Sequence, residues 1–107
     1  AEAFAPILPA IRDQVDVVIS ATNPDIAFPA WVEANNRVAG ERVSGGNNGA
    51  LTIPANISGN PAVSVPIGTI DGLPVGMQLL GRQHDDRLLF DLAAVVEASM
   101  PWPLVAP

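Results

Sequence analysis

Three short stretches carry residue types that could do chemistry. His84-Asp85-Asp86 sets an imidazole beside two carboxylates, the makings of a general base or of part of a metal site. Neighbours in sequence at the start of a helix point in different directions, so adjacency alone builds no shared site. A polar turn followed by a helix cap accounts for the same residues. Ser44-Gly45-Gly46-Asn47-Asn48-Gly49 has the small, flexible composition of a phosphate cradle. It lacks the Gly-Lys-Ser/Thr ending that places a lysine and a hydroxyl on the phosphates, and no strand leads directly into it. It reads as a surface loop. In Thr52-Ile53-Pro54-Ala55-Asn56-Ile57-Ser58-Gly59, Thr52 and Asn56 stand four residues apart. On a helix they share one polar face, turned to solvent or to a cleft.

The remaining composition narrows the field. The five serines, Ser20, Ser44, Ser58, Ser64 and Ser99, are never adjacent and none occupies a Gly-x-Ser-x-Gly elbow. The sequence has 107 residues, one His, no Cys and no Tyr, and its five cations are all Arg, leaving no Lys. A disulfide framework, thiolate metal sites, a Schiff-base lysine and a multi-His metal centre within the chain are excluded. No metal ligand set and no cofactor motif is expected. A formal net charge of −6 with scattered Arg argues against nucleic acid and anionic membrane surfaces. No apolar run approaches the roughly 20 residues that span a bilayer, and the start, Ala1-Glu2-Ala3-Phe4, is not signal-like. The chain reads as soluble and cytoplasmic. Hydrophobic residues make up 49% and charged residues 15%, enough apolar content for a folded domain.

The elements that must position these residues follow from periodicity. Phe4, Ile7, Leu8 and Ile11 have helical spacing within Glu2 to Asp13, weakened by Pro6 and Pro9. Val15 to Ser20 is β-branched and apolar, a buried strand ended by Asn23-Pro24. Ala30 to Val43 is expected to form a short helix with Trp31, Ala34 and Val38 on one side. Trp31, in a Pro- and Asn-rich segment, is a candidate pocket residue. Ala50 to Ser58 reads as a helix after an Asn cap, with Pro54 early and Gly59 at its end. Val63, Val65 and Ile67 alternate with polar or small residues, as do Val75, Met77 and Leu79, and Asp71-Gly72 between them predicts a hairpin. Pro66 and Pro74 place part of that hairpin at an edge or irregularity. Leu88, Leu89, Leu92, Val95 and Val96 form the stripe of a last helix capped by Asp85 or Asp86 and stopped by Pro101 and Pro103. The order implies an α/β layer of about three strands and three helices. The first two main strands are expected to run parallel through a crossover, with the last antiparallel.

The stretch Thr52 to Gly68, Thr-Ile-Pro-Ala-Asn-Ile-Ser-Gly-Asn-Pro-Ala-Val-Ser-Val-Pro-Ile-Gly, followed by Asp71-Gly-Leu-Pro-Val-Gly-Met-Gln-Leu-Leu-Gly81, closely resembles the C-terminal part of amidase signature enzymes. Val15 to Thr22 is similar to the family's strand ending in a Pro-Thr step, with Ala21 here in place of Pro. Asp85 to Leu89 and the Pro101-Trp102-Pro103 ending resemble its last helix and terminus. The resemblance implies a mixed sheet flanked by helices and hydrolysis of a carboxylic amide to an acid and ammonia or an amine. It also implies a serine nucleophile, activated through a second serine in a cis peptide bond and a lysine, with an oxyanion held by backbone N–H groups. None of these parts is found here: there is no Lys, no Ser-Ser pair and no Gly-Gly-Ser-Ser-Gly-Gly. Ser44-Gly45-Gly46 lies on the wrong side of the Thr52 motif to stand in for the last of these.

The reading is therefore a single C-terminal segment, residues 1–107 without an internal boundary, that supplies sheet and substrate-pocket wall but no catalytic residue. By the same resemblance Thr52, Ala55 and Asn56, with Trp31, line or support the acyl pocket, and Asn56 could instead tie down backbone. The small-molecule amide would be met through an absent N-terminal part. The alternatives are a stand-alone binding or assembly module and a split-enzyme subunit. Part of an amidotransferase built on the family is another reading of the same segment. A slab of a wider sheet should also self-associate through an exposed edge or apolar face.

Overall fold

The computed structural model describes residues 14–33, 35–43 and 49–103. The expected helix over Glu2 to Asp13 and most of the Ser44 to Gly49 loop lie outside the described residues. The elements are β1 (Val17–Ala21), β2 (Arg37–Val38), β3 (Glu41–Arg42), α1 (Ile53–Ser58), β4 (Ala62–Ile70), β5 (Leu73–Gly81) and α2 (Asp86–Ser99). The architecture is α/β, a sheet carrying helices.

The hairpin β4–β5 is the backbone of the fold. Its turn is Asp71-Gly72, with φ of 52° and 78°, the left-handed pair that a two-residue turn needs to match strand twist. The register pairs Ile70 with Leu73 at the turn and Ala62 with Leu80 at the far end. A shift between Pro66 and Gly68 marks a bulge, and Pro66, lacking an N–H, sits on an edge strand where the loss is tolerated.

The main sheet has the order β1-β5-β4. As expected, the first two main strands, β1 and β4, run the same way and the last, β5, runs antiparallel; β5 lies between them and pairs with both. The central strand is consequently the most buried, with Gln78, Leu79, Leu80 and Gly81 all enclosed.

Successive side chains on β5 point to opposite faces. Leu80 points to α1, meeting Ala55 with Val18 beside them. A Cβ at Gly81 would lie 3.2 Å from Leu89 of α2, so the second helix covers the other face and needs the glycine to lie that close. Of the expected α2 stripe, Leu89 is buried and Leu92 and Val96 half-buried, while Leu88 and Val95 are exposed. Asp85 occupies the N-cap position without a side-chain capping bond, and Asp86 lies in the first turn.

Two expectations change. Ala30 to Val43 is no helix: it is a turn followed by the small antiparallel pair β2–β3, closed by Ala39 and Gly40 at φ of 53° and 81°. Asn35 Oδ1 accepts from the Arg37 amide at 3.4 Å, a local side-chain bond that competes with helical pairing. Helix α1 is shorter than Ala50 to Ser58 and starts after Thr52, not after an Asn; Thr52 makes no side-chain cap bond. Its end is as expected. Gly59 is left-handed (φ 74°), and the amides of Gly59 and Asn60 both donate to the Ala55 carbonyl, at 2.9 and 3.2 Å.

Candidate functional site

The segment that led the sequence reading lies along the α1 face of the sheet. Thr52 is half-buried at the head of α1, and its amide donates to the Gly49 carbonyl at 3.2 Å. Ala55 is buried against Leu80, so it acts as floor, not as a polar contact. Asn56, on the next turn, is exposed and borders a groove with Gly59, Gln83, His84 and Asp86.

What fixes this segment is a residue the sequence reading did not single out. Gln78 is buried at the centre of β5, and its Nε2 donates to the Leu51 carbonyl at 2.7 Å and to Ser20 Oγ at 3.1 Å. It stitches the approach to α1 onto the sheet and links β1 to β5 through side chains. A Gln inside an alternating strand gives no sequence signal of this, because the period places it on a face without saying what covers that face. The tying role considered for Asn56 belongs to Asn60, whose Nδ2 donates to the Gly81 carbonyl at 2.8 Å within the buried interior.

One row further along the same face, the hydroxyls of Thr22 and Ser64 meet at 2.6 Å across β5. They pass over Gly76, where a Cβ would lie 2.8 Å from Ser64 Oγ and 2.9 Å from Thr22 Oγ1. Gly76→Ala is therefore expected to destabilise the chain by about 1–3 kcal/mol, the range for overpacking. The shift in urea midpoint should be smaller when the same substitution is made in a Ser64→Ala background, because one of the two colliding atoms is gone.

Trp31 stands apart. It is 87% exposed and borders an open apolar groove with Ile26, Phe28, Pro29 and Leu73. That groove shares no lining residue with the one beside Asn56. The structure thus brings Thr52, Ala55 and Asn56 together on one element and leaves Trp31 elsewhere on the surface.

The hydroxyls and the imidazole do not converge. Ser20 and Ser64 are engaged as above, and Ser58 Oγ donates to the Ala55 carbonyl at 3.4 Å. His84 is exposed in the turn before α2, at a left-handed φ of 70°. Among the described residues no three His, Asp or Glu side chains cluster as metal ligands. No helix among them is long and apolar enough to cross a membrane. Among the described residues the arrangement presents a polar sheet face and open grooves, but it assembles no nucleophile with a base.

Comparison with known proteins gives this geometry its context. A family model described as Amidase matches residues 2–90. A glutamyl-tRNA(Gln) amidotransferase subunit from Lacticaseibacillus casei (strain BL23) is 41% identical over 83 residues, covering 78% of this chain and 16% of that protein. Among solved structures, a bacterial aryl acylamidase of the amidase signature family superposes with a TM-score of 0.77 at 28% identity. That match covers 92% of this chain and 21% of the other. The corresponding glutamyl-tRNA(Gln) amidotransferase subunit from Thermotoga maritima gives 0.74 at 31% identity, covering 92% and 20%. This chain therefore spans about a fifth of the length of these relatives. Sequence motif, family model and superposition agree over the same α1–β4–β5 unit, and the chain belongs to the amidase signature family.

Proposed function

We propose that the chain is the C-terminal part of a cytoplasmic amidase acting on a small-molecule carboxylic amide, supplying sheet and substrate-pocket wall but none of the reacting groups. One observation carries the reading: a family match over most of the chain, yet over only 16% of a relative's length, in a sequence without lysine or paired serines. The chemistry the family resemblance implies needs a serine deprotonated through a relay that ends on lysine. Here the hydroxyls of Ser20, Thr22 and Ser64 link strands instead, and that of Ser58 bonds within its own helix. On this reading Thr52 and Asn56 border the acyl pocket, Ala55 forms its support, and Trp31 lines a separate approach.

A second reading is favoured by the relatives named as amidotransferase subunits: the same segment within a glutamyl-tRNA(Gln) amidotransferase subunit. Both readings share the same missing parts.

The purified chain is expected to release no ammonia or amine from simple aliphatic or aryl amides at any pH. Turnover that persisted through a second, orthogonal purification would overturn the proposal. Mixing with a companion chain that carries the upstream part of a relative is the positive arm, and activity appearing only in the mixture supports the pocket-wall role. We also propose that the isolated chain self-associates through the free edge of β1.

A further inference from the structure

Two buried polar atoms near the start of β1 have no hydrogen-bonding partner among the described residues: Asn60 Oδ1 and Arg82 Nε. Asn60 is only 8% exposed. Its amide orientation is fixed by chemistry, because Nδ2 must face the Gly81 carbonyl that it reaches at 2.8 Å. Turning the amide round would set two oxygens against each other. Arg82 is likewise pinned at its other end, where Nη2 donates to the Val15 carbonyl at 3.2 Å and lies 3.4 Å from Asp16 Oδ1. Both residues line the same small cavity, of about 10 Å³, with Val15, Asp16 and Leu80.

We infer that this cavity is a binding site for one structural water molecule, bridging Arg82 Nε to Asn60 Oδ1. The donor and acceptor inventory matches: Nε–H donates to the water oxygen, one water O–H donates to Oδ1, and the second faces the Asp16 carboxylate. The volume is about that of one probe sphere, the least that holds a water. Charge excludes the simple ions. A cation would meet the Arg82 guanidinium, and an anion would meet Asn60 Oδ1 and Asp16. Leaving either buried atom without a partner would carry its desolvation penalty, which the bridging water removes.

The position gives the water a role. It joins the entry to β1 at Val15–Asp16, the junction before β4 at Asn60 and the exit from β5 at Gly81–Arg82. These are the points at which the β1–β5 ladder begins, with Val17 opposite Gly81. The exposed Arg82–Asp16 ion pair adds little by itself. The water turns it into part of a closed corner.

The test uses the full 107-residue chain. In solution, the Arg82 Nε–H should show a cross-relaxation peak to a long-lived water, and its exchange should be at least about tenfold slower than that of the exposed Arg87 Nε–H. A high-resolution crystal structure should place one water within hydrogen-bonding distance of both atoms. Arg82→Lys, which keeps the charge but removes the Nε donor, should lose that water, whereas Arg87→Lys should keep it. A direct Arg82 Nε to Asn60 Oδ1 bond, an empty cavity, or exchange of the Arg82 Nε–H at the Arg87 rate would each overturn the inference.

Discussion

Leu80→Ala is expected to abolish the cooperative unfolding transition of the isolated chain. Leu80 is 4% exposed, on the central strand, and it is where α1 meets the sheet through Ala55 and Val18. Truncating a buried leucine removes its transfer free energy and leaves a cavity, together about 2–5 kcal/mol. A domain of this length has little more than that to lose, since small chains bury proportionately less surface and their net stability is of the order of 5 kcal/mol. The fully enclosed hydrophobic residues described are few: Ala55, Val65, Leu79, Leu80 and Leu89, with Pro54. Of these, only Ala55 and Leu80 join α1 to the sheet in one cluster. Far-ultraviolet circular dichroism against urea should show a sigmoid for the parent and a shallow, near-linear loss for the variant. Leu88→Ala, at a residue that is 37% exposed on α2, should keep the sigmoid and shift its midpoint only slightly. Equal effects of the two substitutions would mean that the Ala55–Leu80 contact is not the centre of the fold.

The contrast between what could be read from sequence and what could not follows the range of the interactions. The hairpin was legible because its signals are local: Asp71-Gly72 demands a left-handed turn, and alternation on either side sets the register. The last helix was legible in the same way, although the stripe alone could not say that Leu89 would be buried and Val95 left exposed. Sheet order was not legible. Pairing β1 with β5 joins Val17 to Gly81 across more than half the chain, and no local pattern reports such a contact. The Ala30 to Val43 error has a different origin. Apolar spacing there imitates a helix, but Asn35 and the Ala39-Gly40 turn offer the backbone competing local conformations, and those prevail. At the candidate site the motif located Thr52, Ala55 and Asn56 on one element. Gln78 and Asn60, which hold that element in place, look like ordinary strand and loop residues until the carbonyls they bond, Leu51 and Gly81, are brought to them.

Ile19→Lys is expected to convert a self-associating chain into a monomer. The sheet has two edges among the described residues, and they are not equivalent. The β4 edge carries Pro66 and a bulge, devices that obstruct further pairing. The β1 edge, Val17-Val18-Ile19-Ser20-Ala21, has neither proline nor charge, and Ile19 on it is 64% exposed. A second copy can pair with it antiparallel about Ile19, setting Val17 opposite Ala21 and Asp16 opposite Thr22, so that no like charges meet. The apolar groove that runs from Ile19 and Ala21 past Val75 and Met77 would then be flanked by a second β1 strand. For the isolated 107-residue chain the occupant at hand is another copy. Sedimentation velocity across a range of concentrations should show association for the parent. Ile19→Lys should weaken it at least about tenfold, equivalent to about 1.4 kcal/mol. Ile57→Lys, an equally exposed apolar position on α1, should leave it unchanged. A parent that sediments as a monomer throughout, or an Ile57→Lys variant as monomeric as Ile19→Lys, would remove β1 as the docking edge. A lysine in the middle of a free strand is also the device by which natural sheets keep their edges apart, so the substitution tests whether this edge lacks only that protection.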